Sequence, residues 1–318
     1  MPRDLSTDLP SDPAPAHRSG FACLVGRPNT GKSTLTNALV GQKVAITSSR
    51  PQTTRHAIRG IVHRPHAQLV LVDTPGLHRP RTLLGQRLND LVRDTWSEVD
   101  AVAFCSPADE RVGPGDRFVA QSLATLARTP VVAVATKIDT VSPDRLAEHL
   151  VALAGLGERV GLDWAAVVPV SAVTGKGVPV LERVLVDLMP PGPAFYPDGE
   201  LTDEPEEVLV AELIREAALE GLHEEMPHSL AVVVEEMVPR DDRPTDRPLL
   251  DVRAVLYVER SSQKPILVGR SGERVKRIGS QARRHIEALL GTPVYLDLHV
   301  KVAKEWQRDP KQLRRLGF

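Results

Sequence analysis

Gly26-Arg27-Pro28-Asn29-Thr30-Gly31-Lys32-Ser33 follows an apolar run at 21–25 and leads into a helix-like stretch from Lys32 to Val40. In the spacing G-x-x-x-x-G-K-S the glycines let successive backbone N–H groups curl around phosphate oxygens, and the positive end of the next helix adds to that attraction. Lys32 is then placed to bridge β- and γ-phosphates, and Ser33 to ligate magnesium. Asp73-Thr74-Pro75-Gly76 closes the next anchor at the end of a buried run. Asp73 reaches the metal through a water, and Gly76, lacking a side chain, lets its N–H approach the γ-phosphate. Thr136-Lys137-Ile138-Asp139 supplies base recognition. The Asp139 carboxylate accepts from the N1–H and exocyclic amine of guanine, whereas adenine offers an acceptor at N1 and would leave the charge unpaired. Lys137 can lay its stem across the base, and Ser171-Ala172 can offer a backbone N–H to guanine O6. These four anchors, in this order, read as a GTP site and exclude an ATP site.

A second glycine loop, Gly269-Arg270-Ser271-Gly272, lies in the run ILVGRSGERVKRIG. Two glycines around two residues let a nucleic-acid backbone pass close to the main chain. Arg270 and Lys276 are the expected phosphate contacts, with Arg274 and Arg277 beside them. Few aromatics are at hand (Tyr257, Tyr295, Trp306), so an apolar groove and hydrogen bonds must hold the bases with little stacking. Charge supports this reading. The whole chain carries a net −1, but residues 198–259 hold 18 acids against 5 bases, and residues 260–318 hold 14 bases against 5 acids. A basic segment around such a loop suits a polyanion, and the acidic one is available to compete with RNA for it.

Positioning these loops requires a particular set of elements. Strand-like runs at 57–63, 67–72, 101–105, 131–135 and 166–170 alternate with helical stretches near 82–98, 115–127, 143–154 and 178–188. That alternation predicts a doubly wound, mostly parallel α/β sheet, which binds ligands beyond the carboxyl ends of its strands. Pro190-Pro191-Gly192-Pro193 stops the last helix. Beyond it, a helix over 204–220 capped from Asp203, strands at 229–237 and 251–259, a helix after Gly272 and a strand at 294–302 predict a smaller α+β unit. The 318 residues therefore divide into an extension (1–19, polar, Pro-rich and expected to be disordered), a nucleotide domain (20–189), a linker (190–205) and a nucleic-acid domain with its tail (206–318). No apolar run reaches the roughly 18 residues of a membrane span, and the first twenty residues lack the apolar core of a secretory signal. Cys23 and Cys105 sit in apolar runs and read as buried, reduced thiols of a cytoplasmic protein.

The ordered anchors resemble those of the translation-factor-like P-loop GTPases, and the Gly-x-x-Gly segment with its helix and strand order resembles a type II KH domain. QTTRH in the first switch, DTPGL in the second and a terminal KH domain together resemble the Era family of bacterial ribosome-assembly GTPases. The resemblance implies GTP/GDP and Mg2+ as ligands, hydrolysis to GDP and phosphate, and binding near the 3′ end of small-subunit (16S) rRNA. It also implies a role in rRNA processing and 30S assembly. Leu77 stands where Ras-like members have glutamine, which places the chain with potassium-assisted members, in which Asn29 helps hold K+. A switch threonine, Thr53 or Thr54, ligates Mg2+ when a γ-phosphate is present, and the phosphate loop continues into contacts from Thr74, Pro75 and Leu77. Thr136 replaces the usual asparagine, and its hydroxyl is expected to tie neighbouring loops less well. A monomer is expected. The family also implies peripheral association with the inner face of the membrane, for which the sequence offers no amphipathic anchor. Two other functions fit less of the sequence: a constitutive RNA-binding scaffold stabilised by nucleotide, and a GTPase driving RNA modification.

Overall fold

The computed structural model describes residues 16–47, 54–77, 80, 82–126, 128–222, 226, 229–240 and 248–318. In chain order the first unit runs β1 (Arg18–Val25), α1 (Lys32–Val40), β2 (Ile58–Arg64), β3 (Ala67–Asp73), α2 (Leu83–Glu98), β4 (Ala101–Pro107), α3 (Pro114–Leu123), β5 (Val131–Thr136), α4 (Pro143–Val160), β6 (Trp164–Pro169) and α5 (Val178–Asp187). The strands form one six-stranded sheet in the order β2-β3-β1-β4-β5-β6, parallel except for the β2–β3 pair. β3, β4 and β5 are buried along their whole length, which is why they read as unbroken apolar runs. Leu35 and Leu39 of α1 pack with Leu181 and Leu185 of α5 on one face, and Val92, Val119 and Leu153 of α2, α3 and α4 on the other. All four nucleotide anchors lie at or just beyond the carboxyl ends of their strands, β1, β3, β5 and β6.

β1 begins at Arg18, so Arg18 and Ser19, assigned to the extension from sequence, are strand residues. Their pairing explains it: Arg18 and Ser19 register with Ala67 and Gln68 of β3. The linker is not a free spacer but lies along the sheet. Gln68 accepts from the backbone N–H groups of Phe195 and Tyr196 and donates to the Tyr196 carbonyl, and Ile61 donates to the Leu201 carbonyl. This docking also removes the expected cap. Asp203 accepts from Arg59 at 2.8 Å and from the Tyr196 hydroxyl at 2.7 Å, and α6 (Glu206–Leu219) starts after Pro205 with no side-chain cap.

The second unit continues with β7 (Ala231–Pro239), β8 (Leu250–Val258), α7 (Lys264–Val268), α8 (Glu273–Leu290), β9 (Val294–Val302) and α9 (Pro310–Arg315). β8 pairs antiparallel with β7 and parallel with β9. Alternate residues of β8 face opposite sides. Val252, Ala254 and Leu256 pack under α6 and α8, while Val255 and Tyr257 meet Trp306, Leu313 and Leu316 of the tail and Leu84 and Leu88 of α2. The second sheet is thus covered on one face by its own helices and on the other partly by the first unit.

Candidate functional site

Gly31 caps α1 at φ 89° and Asn29 takes φ 63°, so the phosphate loop curls left-handed before its helix begins. The cavity above it is bounded by Pro28, Asn29, Gly31, Lys32, Ser33 and Thr34, with Ile46, Thr47, Thr54 and Gly76 completing the wall. Lys32 is buried and donates to the carbonyls of Arg27 at 3.0 Å and Gly26 at 3.4 Å, and burial lowers its pKa. Thr30 Oγ1 donates to the Arg27 carbonyl as well. The Arg27 side chain turns away from the cavity, pairing with Asp116 and Glu110 at 2.9 Å each across the bare Gly115.

Three oxygens converge beside Lys32. Ser33 Oγ donates to Asp73 Oδ2 at 2.6 Å, Thr54 Oγ1 lies 2.9 Å from Ser33 Oγ, and it donates to the same carboxylate oxygen at 3.4 Å. Asp73 is fully buried, and its Oδ1 has no hydrogen-bond partner among the described residues. Burial raises its pKa to about 6, against the Ser33 hydrogen bond and the Lys32 charge, which act to lower it. A buried carboxylate with an orphaned oxygen beside two hydroxyls is a hard, all-oxygen donor set, which suits Mg2+ held partly through water. Of the two candidate threonines, Thr54 is in this cluster, and Thr53 lies outside the described residues.

Gly76 sits against the loop so closely that a Cβ would stand 2.6 Å from the Pro28 nitrogen. Thr74 spends its hydroxyl on the Leu24 carbonyl at 2.7 Å, and Pro75 beside it is buried. Leu77 departs from the expected set of nucleotide contacts. Its side chain is in the core with Val25 and Val92, and its N–H donates to the Gly26 carbonyl, which holds it inward. At the base-reading end, Thr136 Oγ1 donates to the Thr30 carbonyl at 2.6 Å. Thr136 is buried directly against the phosphate loop, and its hydroxyl ties that loop through this one bond. Lys137 holds φ 56° with its ammonium 3.4 Å from Asp109, and Asp139 is exposed one turn on. The Ser171 N–H donates to the Lys176 carbonyl at 2.8 Å and Ser171 Oγ accepts from the Thr174 N–H at 3.1 Å, so both Ser171 groups are engaged within this turn, with Ala172 half-buried beside them.

In the second unit the Gly-x-x-Gly loop joins α7 to α8. Gly269 (φ 76°), Ser271 (φ 52°) and Gly272 (φ 80°) all take left-handed backbone. Arg270, Lys276 and Arg277 are exposed. Arg274 is different: it folds back to donate to the Glu220 carbonyl at 3.0 Å and packs against Gly269, where a Cβ would meet it at 2.7 Å. Burial, with Arg277 nearby, lowers its pKa. It braces the loop. A groove of about 290 Å³ runs between α8 and the edge strand β9, lined by Val275, Lys276, Gly279, Ser280, Arg283, Tyr295, Leu296 and Leu298. Most of these escaped the sequence reading, although a helical glycine, Gly279, facing Leu298 was the available signal. Ile46 and Thr47 carried no signal at all. Among the described ion pairs of the acidic segment, none reaches Arg270, Lys276 or Arg277. No described helix is long and apolar enough to cross a membrane.

Family models match in two places: a 50S ribosome-binding GTPase at residues 21–137 and a KH domain at 225–307. The chain is 65% identical over 316 residues to the GTPase Era of Streptomyces coelicolor, covering 99% of each. It is 66% identical over 312 residues to that of a Nocardioides species, covering 98% of this chain and 100% of the relative. Among solved structures, Era in complex with MgGDPNP and nucleotides 1506–1542 of 16S ribosomal RNA superposes with a TM-score of 0.89 at 34% identity, over 95% of this chain and 99% of that one. An Aquifex aeolicus Era variant bound to GDP and AlF4− gives 0.88 at 34% identity, over 94% and 99%.

Proposed function

Since this chain belongs to the Era family of GTPases, we propose that it is a GTP-hydrolysing switch whose KH domain takes the 3′ region of 16S rRNA and assists rRNA processing and 30S subunit assembly. One observation carries the coupling. Thr54 stands in the Ser33–Asp73 cluster, while the adjacent Arg55 is buried in the RNA-binding unit, donating to the Leu230 carbonyl at 2.6 Å beneath the Trp306 ring. A threonine drawn toward Mg2+ and a γ-phosphate must move its neighbour's anchorage too.

Within the site, Gly26 to Ser33 cradle the phosphates, and Lys32 leaves its loop carbonyls for phosphate oxygens. Ser33, Thr54 and Asp73 hold Mg2+, which when bound draws charge from the breaking bond. Gly76 presents its N–H to the γ-phosphate, and Lys137 and Asp139 read guanine, with Ala172 beside them. With Leu77 in the core, no side chain at that position orients the attacking water. Asn29 would help hold a potassium ion, which would supply positive charge beside the phosphates, and the switch backbone would place the water, so replacing K+ with Na+ should slow phosphate release severalfold; equal rates in the two salts remove the assignment. In the RNA groove Gly269 to Gly272 admit the backbone, Arg270, Lys276 and Arg277 meet phosphates, and the apolar floor receives bases. The protein works as a monomer in the cytoplasm. Peripheral contact with the inner face of the membrane is a finer reading that liposome flotation tests. The central test compares affinity for a 16S 3′-end RNA with GDP and with a non-hydrolysable GTP analogue. Tighter binding with the analogue is expected, and identical affinities would leave only a nucleotide-stabilised scaffold.

A further inference from the structure

Glu216 belongs to α6, in the RNA-binding unit, yet it holds the mouth of the nucleotide cavity. Its Oε1 accepts from the Thr47 N–H at 2.8 Å and lies 3.3 Å from the Thr47 hydroxyl, while Oε2 pairs with the Lys43 ammonium. Thr47 and Ile46 both line the cavity over the phosphate loop. Ile46 is itself buried among Val210, Leu213, Ile214 and Ala217 of α6, inside the core of the other unit. The same Oε2 stands 3.6 Å from Nδ1 of His285, an approach without a hydrogen bond. His285 is on α8, the helix that starts at the Gly-x-x-Gly loop and walls the RNA groove. The Glu216 side chain is only 10% exposed, and a carboxylate so far from water is kept there by its partners.

We propose that Glu216 is a positioning residue for the nucleotide site, supplied by the RNA-binding unit. It fixes the segment from Lys43 to Thr47 over the phosphates and ties that segment, across α6, to the RNA helix. This rests on the reading of the protein as a GTP-gated RNA binder. Thr47 lines the cavity over the phosphate loop, so seating a γ-phosphate bears on a segment whose backbone N–H is gripped by α6. Movement of α8 on RNA acts on the same carboxylate through His285. Because binding free energies are linked, each ligand must strengthen the other by the same factor.

The test uses the full chain and a single-stranded RNA of the 16S 3′ end, titrated with GDP and with a non-hydrolysable GTP analogue. The wild type should bind about tenfold or more tightly with the analogue. Glu216→Ala should shrink that ratio to less than about twofold while RNA affinity in the GDP state stays near wild type. Simple destabilisation would not produce this result at saturating nucleotide, where circular dichroism confirms full folding in both titrations. Should Glu216→Ala fail to fold, the isosteric Glu216→Gln carries the test, because it removes the charge facing Lys43 and His285, and the ratio must fall at least about threefold. A wild-type ratio retained in the folded variant overturns this proposal alone. A wild type with no ratio overturns the gated reading and this proposal with it.

Discussion

Asp73 holds a carboxylate out of water with one oxygen unsatisfied, and that arrangement has a measurable pH signature. Burial lifts its pKa from the ordinary carboxylate value of 3.8 to about 6 on folding. The folded protein therefore binds this proton more tightly than the unfolded chain, and the group opposes folding increasingly as pH climbs from about 4 to about 6. Asp73→Asn removes the titration. Relative to wild type, the nucleotide-free variant should gain up to roughly 3 kcal/mol between pH 4 and pH 7, read from urea unfolding at each pH, and should lose Mg2+-dependent stabilisation by GDP. Thr136 gives a second prediction. Thr136→Val keeps the shape but deletes the 2.6 Å bond to the Thr30 carbonyl. It should cost about 1 kcal/mol of nucleotide affinity, seen as a several-fold faster release of fluorescent GDP, with Thr136→Ser largely restoring it.

Among the elements, the two glycines of the RNA loop separate steric from electrostatic roles. At Gly269 a Cβ meets Arg274 at 2.7 Å, whereas at Gly272 nothing lies within 4 Å. Gly269→Ala should therefore strain the α7–α8 joint and lower the denaturation midpoint of the KH unit. Gly272→Asp, at φ 80° in open space, should leave the fold within about 1 kcal/mol. Its carboxylate would face the RNA backbone, so binding of a 16S 3′-end oligonucleotide should fall at least about tenfold, as filter binding or anisotropy would show. Comparable midpoint losses in both variants would contradict this division.

Over the whole molecule, Phe318 closes the joint between the units. The Phe318 ring stacks on His56 at 5.2 Å and Trp306 at 5.6 Å, lies under the Arg55 guanidinium at 5.8 Å, and its carbonyl accepts from Arg87 on α2 at 2.6 Å. Phe318→Ala should cost about 2 kcal/mol, with Phe318→Trp losing less, measured as shifts in urea midpoint. It should also loosen Arg55, the residue beside Thr54, and so accelerate nucleotide release.

Loops that grip phosphate and guanine were legible in the chain because their chemistry is local: consecutive backbone N–H groups, a lysine and a serine at fixed spacing, an aspartate after a strand. The alternation of buried strands and helices was legible for the same reason, since burial on both faces leaves unbroken apolar runs. The inward turn of Leu77, the reach of Thr136, the loss of the Asp203 cap and the place of Ile46 between the phosphate cavity and the core of the second unit were decided by tertiary structure. Each depends on which surface a distant segment presents to the residue, and spacing along a chain carries no record of that.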